Sequence, residues 1–446
     1  MSVSVTNRKI NLLQATAINM IDMVGIGPFV VMPIVIANFN SGLFIWAWIF
    51  GAVAALVDGM IWSELGARYP LAGGTYNFHR IAFGEKGGRL MSFLFVWQTS
   101  IQAPLVVASG AIGFAQYLTY LIPLSGLEQK AVSGALVIIV FLLLYRKIET
   151  IGKISVVLGS IVILTIGWII VSGFTHQVHS VQFLPIGGES FFSHAFWASI
   201  GYGSLKTVYA YLGYYNVCHL GGEIKNPGKN IPRSIFISII GIAILYLLMN
   251  ISVMGVLPWQ AAQQGDKYLV SFFMEVVYGR QAAIVVTILI LCIAMASLFA
   301  VVLGYSRVPY AAAVDGNFFK VFSKLHPTKN FPYVSMTVLC VLGFIFSLFM
   351  KLDKVITAIL AMRIVIQFIS QAVGVVLLRR RFGNKDLPFK MWLYPFPVIL
   401  SIVIWLFLFV STGWFALWGI VMAGIGAGVY FLINGRREEY IIRNKE

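Results

Sequence analysis

Two short stretches of this sequence carry groups that could hold a charged small molecule inside a membrane. The first, VGIGPF at 24–29, sets two glycines and a proline within a long apolar run. Glycine costs about 1 kcal/mol and proline about 3 kcal/mol relative to alanine in a helix interior, so the helix is weakened near its middle. The second, TVYAYLGYYN at 207–216, centres on Gly213 and is rich in tyrosine. Where a helix unwinds at membrane depth, its released N–H and C=O groups must find partners. Together with the helix-end dipoles they make sites for charged ligand groups. N–H groups around Gly25–Gly27 suit a carboxylate such as that of an amino acid, and free carbonyls near the second break suit its ammonium. Each stretch alone has a plainer reading, close packing for the glycines and an interfacial aromatic belt for the tyrosines. The two together favour binding.

Ionisable side chains within apolar segments cost roughly 2.5–3.5 kcal/mol each at a helix centre and point to function. Asp22, one turn before the first break, could attract a cationic group or titrate; the alternative is a structural pair with a neighbouring helix. Lys206, three residues before Tyr209, suits a partner for a substrate carboxylate, a gate residue or a fixed positive charge, against simple snorkelling to the interface. Arg363, Gln367 and Gln371 repeat at i, i+4 and i+8, a polar stripe that faces protein or water rather than lipid. Asp58 is a candidate partner for one of these bases. Glu64, Arg68 and Glu223 fit a cytoplasmic gate or helix-end caps.

The elements that must position these residues are membrane helices. The chain has 446 residues, 59% hydrophobic and only 11% charged, with a mean hydropathy of +0.88. That excludes a soluble globular protein and predicts an all-α integral membrane protein. Twelve apolar segments are expected, at roughly 12–36, 43–64, 90–121, 131–145, 154–174, 195–218, 234–257, 281–305, 332–350, 355–378, 392–410 and 413–433. The polar connections leave no room for a soluble domain, and 258–281 reads as a partly helical external loop. The net charge of +16 is a topology signal, not a nucleic-acid footprint. With a cytoplasmic N-terminus, only Lys130, Lys267, Arg280, Lys351 and Lys354 fall outside, whereas 25 of the 32 Lys and Arg fall inside, including the run from Arg379 to Lys390. This predicts a multi-pass inner or plasma membrane protein with both termini in the cytoplasm. No cleavable signal peptide is expected. Cys218, Cys292 and Cys340 predict neither a disulfide framework nor a metal site, and no cofactor is expected.

The first break lies in span 1 and the second in span 6. An odd number of spans between equivalents reverses their orientation, the arithmetic of an inverted repeat: 12–174 against 195–378, with two additional helices at 392–433. Paired interrupted helices of this kind point to a secondary transporter's substrate site.

Four ordered motifs then carry a resemblance. GIGPF is similar to G-S-G-I-F, with Ile26 and Pro28 as departures. WSELGARYPLAGGTYNFHRIAFG resembles A-E-L-x-x-x-x-P-x-x-G-G-x-Y-x-Y-x-x-x-A-F-G. YAYLGYYNVCHLGGEIKNPGKNIPRSI resembles F-x-Y-x-G-W-x-N followed by E-E-x-K-N-P-x-x-N-x-P-R. GYSRVPYAAAVDGNFFK is similar to G-S-S-R-x-x-Y-A-M-A-R-D-G-x-x-P-K. By these motifs the chain resembles the amino acid–polyamine–organocation (APC) superfamily of permeases, especially its L-type and bacterial antiporter branches. The resemblance implies a LeuT-type five-plus-five fold with spans 1 and 6 interrupted, and alternating access around spans 1, 3, 6, 8 and 10. It implies that Gly25, Ile26 and Gly27 offer backbone to a substrate carboxylate. Tyr209 takes the place of an aromatic that closes over the substrate, and Ala210, Tyr211 and Leu212 that of the unwound backbone receiving the amine, beside the family glycine Gly213. Tyr214 stands where many members have Trp. Span 3, with Trp97, Gln98 and Gln102, is expected to supply another wall. The lysine that some members carry in span 5 is absent from 154–174, so sodium dependence is not inferred; proton coupling through Asp22 or substrate exchange stay open. No P-loop, catalytic triad or metal cluster points to an enzyme. The leading expectation is a secondary amino acid permease whose partners are a small-molecule substrate, the bilayer and protons. A polyamine or organic-cation permease is the alternative within transport. A transport-inactive sensor or partner subunit is the alternative outside it.

Overall fold

The computed structural model describes residues 8–39, 42–71, 73–145, 151–185, 190–260, 268–329, 331–384 and 387–443, without the side chains of 151–158 and 434–443. Lys267 and Lys385 of the charge asymmetry, with 261–267 of the expected external loop, lie outside these residues.

Every expected apolar segment coincides with helix. The first is split into α1 (Leu12–Met23) and α2 (Gly27–Asn38), bent by 44° at the break. There follow α3 (Ile45–Arg68), the short α4 (Thr75–Ala82), α5 (Gly84–Leu121), α6 (Gly126–Leu144) and α7 (Ile151–Thr175). The sixth apolar segment is again split, into α8 (His194–Tyr211) and the single turn α9 (Asn216–His219). Next come α10 (Pro227–Val256), α11 (Leu269–Tyr278), α12 (Arg280–Tyr305), α13 (Arg307–Val314) and α14 (Tyr333–Phe349). The tenth segment runs from α15 (Leu352–Arg363) through a π-helical turn at Ile364–Ile369 into α16 (Ser370–Phe382), and α17 (Phe396–Ser411) and α18 (Phe415–Arg443) close the chain. No strand occurs among the described residues, only an isolated bridge pinning Ile10 to Ile224.

Among the described residues seven helices are long and apolar enough to span a bilayer, eight with the bent α1–α2 pair; α11, α14, α17 and Gly159–Thr175 are shorter apolar helices. The spanning reading explains the surface. Ile138, Leu142, Leu164, Val403, Phe431 and other large apolar residues are exposed on the flanks, a waste of free energy in water but the expected face toward lipid. α5 has 38 residues, about 57 Å at 1.5 Å per residue, well beyond a hydrocarbon core of about 30 Å. It therefore runs obliquely or projects past the core, and it contacts α12, α14 and α15 along its length. The interior is built around the broken pair: α1 packs on α7 and α10, α2 on α8, and α8 on α3.

The short fourth segment, expected at 131–145, is a 19-residue helix starting at Gly126, with Ser125 and Glu128 forming a reciprocal N-terminal cap. The external loop is helical over α11, as expected for part of 258–281.

Candidate functional site

The first break comes from local backbone chemistry. Val24 still donates its N–H to Met20, closing α1. Pro28 opens α2 at a position where its missing N–H is not needed. Among the described residues the N–H groups of Gly25, Ile26 and Gly27 have no hydrogen-bond acceptor, and no side chain caps α2. Gly25 is there because nothing larger fits: a Cβ would sit 2.5 Å from the Ser297 hydroxyl of α12.

The second break occupies Leu212–Tyr215, two residues later than the expected unwinding, because Ala210 and Tyr211 still complete α8. Gly213 has φ +125°, a conformation strained for any residue with a Cβ. It also lies flat on the first break, since a Cβ would come within 2.7 Å of the backbone between Asp22 and Met23. The two interruptions thus touch. Asn19 of α1 accepts the Val217 N–H through Oδ1 at 2.9 Å and so caps α9 from another helix. The Tyr246 hydroxyl of α10 faces the carbonyls of Met23 at 2.9 Å and Ala210 at 3.2 Å.

Between the breaks lies a small cavity of about 60 Å³. Asp22, Gly25, Ile26, Gly27, Tyr209, Ala210, Leu212, Gly213 and Arg363 all line it, so the structure brings together most of the residues expected at the site. The Tyr209 hydroxyl is 2.7 Å from Ser109 Oγ of α5. Arg363, only 1% exposed, ends α15 where the π turn begins. Its Nε donates to Gln367 at 2.9 Å and its Nη2 to the Tyr215 hydroxyl at 2.5 Å. Its guanidinium also stands over the rings of Tyr215 and Phe368, at 5.1 and 5.3 Å. Trp62 stacks on Tyr215 at 4.6 Å, and Trp405 on Phe368 at 3.9 Å. The cation is thereby fixed in place by flat aromatic surfaces.

Four expectations are corrected. Tyr211 does not line the cavity; its ring packs edge-on against Trp48 and beside Tyr246. Lys206 does not reach the substrate space either. Fully buried, it pairs with Asp353 Oδ1 at 2.5 Å and donates to Thr357 Oγ1 at 2.8 Å, bonding α8 to the start of α15. Asp58 forms no ion pair among the described residues: it accepts from the Tyr214 hydroxyl at 2.6 Å and Trp405 Nε1 at 3.2 Å, with Arg363 acting on it only from farther off. That explains Tyr214, whose hydroxyl has a buried carboxylate to serve. The wall from span 3 is Val106 and Gly110, above the expected residues. Trp97 instead donates to the Met422 carbonyl of α18 at 3.1 Å, and Gln98 and Gln102 are buried apart from the cavity lining.

The end of the bundle beside α4 is tied separately. Glu64 forms a buried two-pronged ion pair with Arg379 and accepts the Met391 N–H at 2.9 Å. Arg68 lies beside the rings of Tyr69 and Phe382, and the Glu223 carbonyl takes the Ile10 N–H. Within α4, Thr75 donates to Gln371 at 2.8 Å and Tyr76 to Asp315 at 2.5 Å. His79 Nε2 lies 2.9 Å from Ser370 Oγ, whose hydroxyl is also within reach of the Ile366 carbonyl. Burial holds His79, outside the spans, far below its usual range, at about 3. The stripe Arg363, Gln367 and Gln371 therefore runs from the cavity to α4. The sequence reading missed Asn19, Tyr246, Ser109 and Asp353. Asn19 and Tyr246 are polar groups within apolar runs, a weak signal; Asp353, at a helix start, gave none.

Apolar helices whose two interrupted members meet at a cavity lined by one acid, one base and apolar side chains have the form of a membrane transport protein. The chain belongs to the amino acid permease family, whose model matches residues 10–433. It is similar to the branched-chain amino acid permease BcaP of Bacillus subtilis, 24% identical over 97% of this chain and 94% of that one. The serine/threonine exchanger SteT of the same bacterium is 26% identical over 91% of each chain. Its aspartate-proton symporter is 25% identical over 84% of this chain and 73% of the other. These relatives are transporters, not enzymes.

Proposed function

We propose that this permease is a twelve-span secondary transporter of amino acids, working by alternating access in an inverted five-plus-five arrangement. Residues 12–174 form one repeat, 195–378 the other, and 392–433 two additional helices. The observation that carries the reading is the contact of the two interrupted helices around one cavity, with the N–H end of α2 and the carbonyl end of α8 both opening onto it. The substrate carboxylate takes the N–H groups of Gly25, Ile26 and Gly27. Its ammonium takes the carbonyls around Leu212 and Gly213 beside Asp22, with Tyr209 closing over it. Lys206, held to Asp353, acts as an outer lock, and Glu64 with Arg379 as an inner one. The charge asymmetry supports cytoplasmic termini. Both proton coupling and exchange are named among the relatives, and Asp22 is the residue placed to carry a coupling proton. A polyamine or organic-cation substrate is the second reading: Asp22 in the cavity favours it, and Arg363 opposes it.

Uptake of radiolabelled amino acids into proteoliposomes tests the proposal. Absence of uptake and exchange across a broad panel favours the transport-inactive sensor or partner subunit. Within that assay, Asp22→Asn should alter the rate or its pH dependence more than Asp58→Asn, because Asp22 faces the cavity and Asp58 a tyrosine and a tryptophan. Equal, wild-type-like kinetics for both remove the role of Asp22.

A further inference from the structure

We infer that the cavity selects substrates by net charge: it takes amino acids of zero net charge with small apolar or hydroxyl side chains, and rejects acidic amino acids, basic amino acids and polyamines. This rests on the transport reading above and sharpens its substrate class.

The charges of the interior are divided between the cavity and the packing around it. Lys206 is matched by Asp353, and Arg379 by Glu64. Asp58 is held by Tyr214 and Trp405. Among the described residues that leaves one carboxylate, Asp22, and one guanidinium, Arg363, in the lining. The hydrogen bonds of Arg363 go to neutral acceptors, a tyrosine hydroxyl and a glutamine carbonyl. Within the lining its counter-charge is Asp22; Asp58, outside the lining, is also within its field. With Asp22 ionised the lining sums to zero, and the helix ends add a partial positive at α2 and a partial negative at α8 that also cancel. A zwitterion complements those two ends and leaves the sum unchanged. A ligand of net charge leaves one charge uncompensated in a site walled by protein, where ion burial is costly.

The remaining wall limits the side chain. Val106, Ala294, Leu298 and Val301 present only apolar surface, with Ser297 and Tyr305 as the hydroxyls among them. Gly110 is overlain by Leu298, whose Cδ2 would be 2.6 Å from a Cβ there, so the space ends at that contact.

Counterflow in proteoliposomes, with labelled alanine, serine, valine, glutamate, lysine and putrescine at equal concentration, tests the inference. The first three should exceed the last three by at least about tenfold, equivalent to 1.4 kcal/mol. Asp22→Asn leaves Arg363 unbalanced and should raise the glutamate-to-alanine ratio about tenfold. Arg363→Gln should raise the lysine-to-alanine ratio, and the double variant should return to neutral substrates. Should the arginine variant not fold, Asp22→Asn carries the test alone. Wild-type preference for glutamate, lysine or putrescine overturns the inference and leaves transport standing, as does Asp22→Asn with unchanged ratios. Counterflow of none of the six, with no uptake across the wider panel, overturns the transport reading and this inference with it.

Discussion

Gly213 shows what one residue contributes at this site. Its φ of +125° and the backbone of Asp22 and Met23 beneath it leave no room for a methyl group. Gly213→Ala should therefore cost about 1–3 kcal/mol from backbone strain before the clash is counted. In practice that means a lower unfolding temperature in detergent and loss of uptake; a variant with wild-type values for both would show that the breaks can separate freely. His79 offers a pH prediction. Its folded value is depressed to about 3 from an ordinary 6.5, so between these values the unfolded chain binds the proton and the folded one does not. Stability from this group is complete above about pH 6.5 and falls as the pH drops toward 3. His79→Gln should flatten that part of the melting-temperature profile, and an unchanged acid limb would count against the buried neutral imidazole. Residue identity was legible where the cause was local. Glycines and a proline inside an apolar run announced the breaks, and Asp22 and Arg363 announced themselves by being charged there. Their neighbours were not legible, because Lys206 finds Asp353 at 147 positions' remove and Tyr246 reaches back 223 positions to Met23.

At the scale of elements, helix positions followed from runs of apolar residues, and all twelve expected segments are helical. What periodicity could not supply was the face each helix turns inward. Span 3 illustrates this: Trp97, Gln98 and Gln102 are the polar-edged residues a reader would choose, yet α5 turns Val106 and Gly110 to the cavity. The π turn after Arg363 is equally invisible in composition, although such turns recur at functional sites. Two ion pairs join elements near opposite ends of the bundle. In the one between α3 and α16 both side chains are under 5% exposed. Removing one partner strands a buried charge, so Arg379→Met should destabilise by about 3–5 kcal/mol, and Glu64→Gln with Arg379→Met should recover most of it. Thermal unfolding of the three variants checks this; a double variant as damaged as the single would mean the pair is not the source of the loss.

For the whole molecule, the basic excess was legible as orientation and the family as four motifs in order. The exact pocket was not, since it is made by five or more helices distant in sequence. Orientation is directly testable. In a background lacking Cys218, Cys292 and Cys340, Glu128→Cys at the start of α6 should react with a membrane-impermeant maleimide on intact cells. Lys86→Cys at the start of α5 should react only after permeabilisation. The reverse pattern would place both termini outside.

The Tyr246 hydroxyl bears on how such a molecule changes shape. It has one hydrogen and two carbonyls to choose between, Met23 at 2.9 Å and Ala210 at 3.2 Å. Any change that separates Met23 from Ala210 would leave the tyrosine with only one of them. The shorter contact already leans toward α1, leaving α8 the freer arm of an uneven clutch.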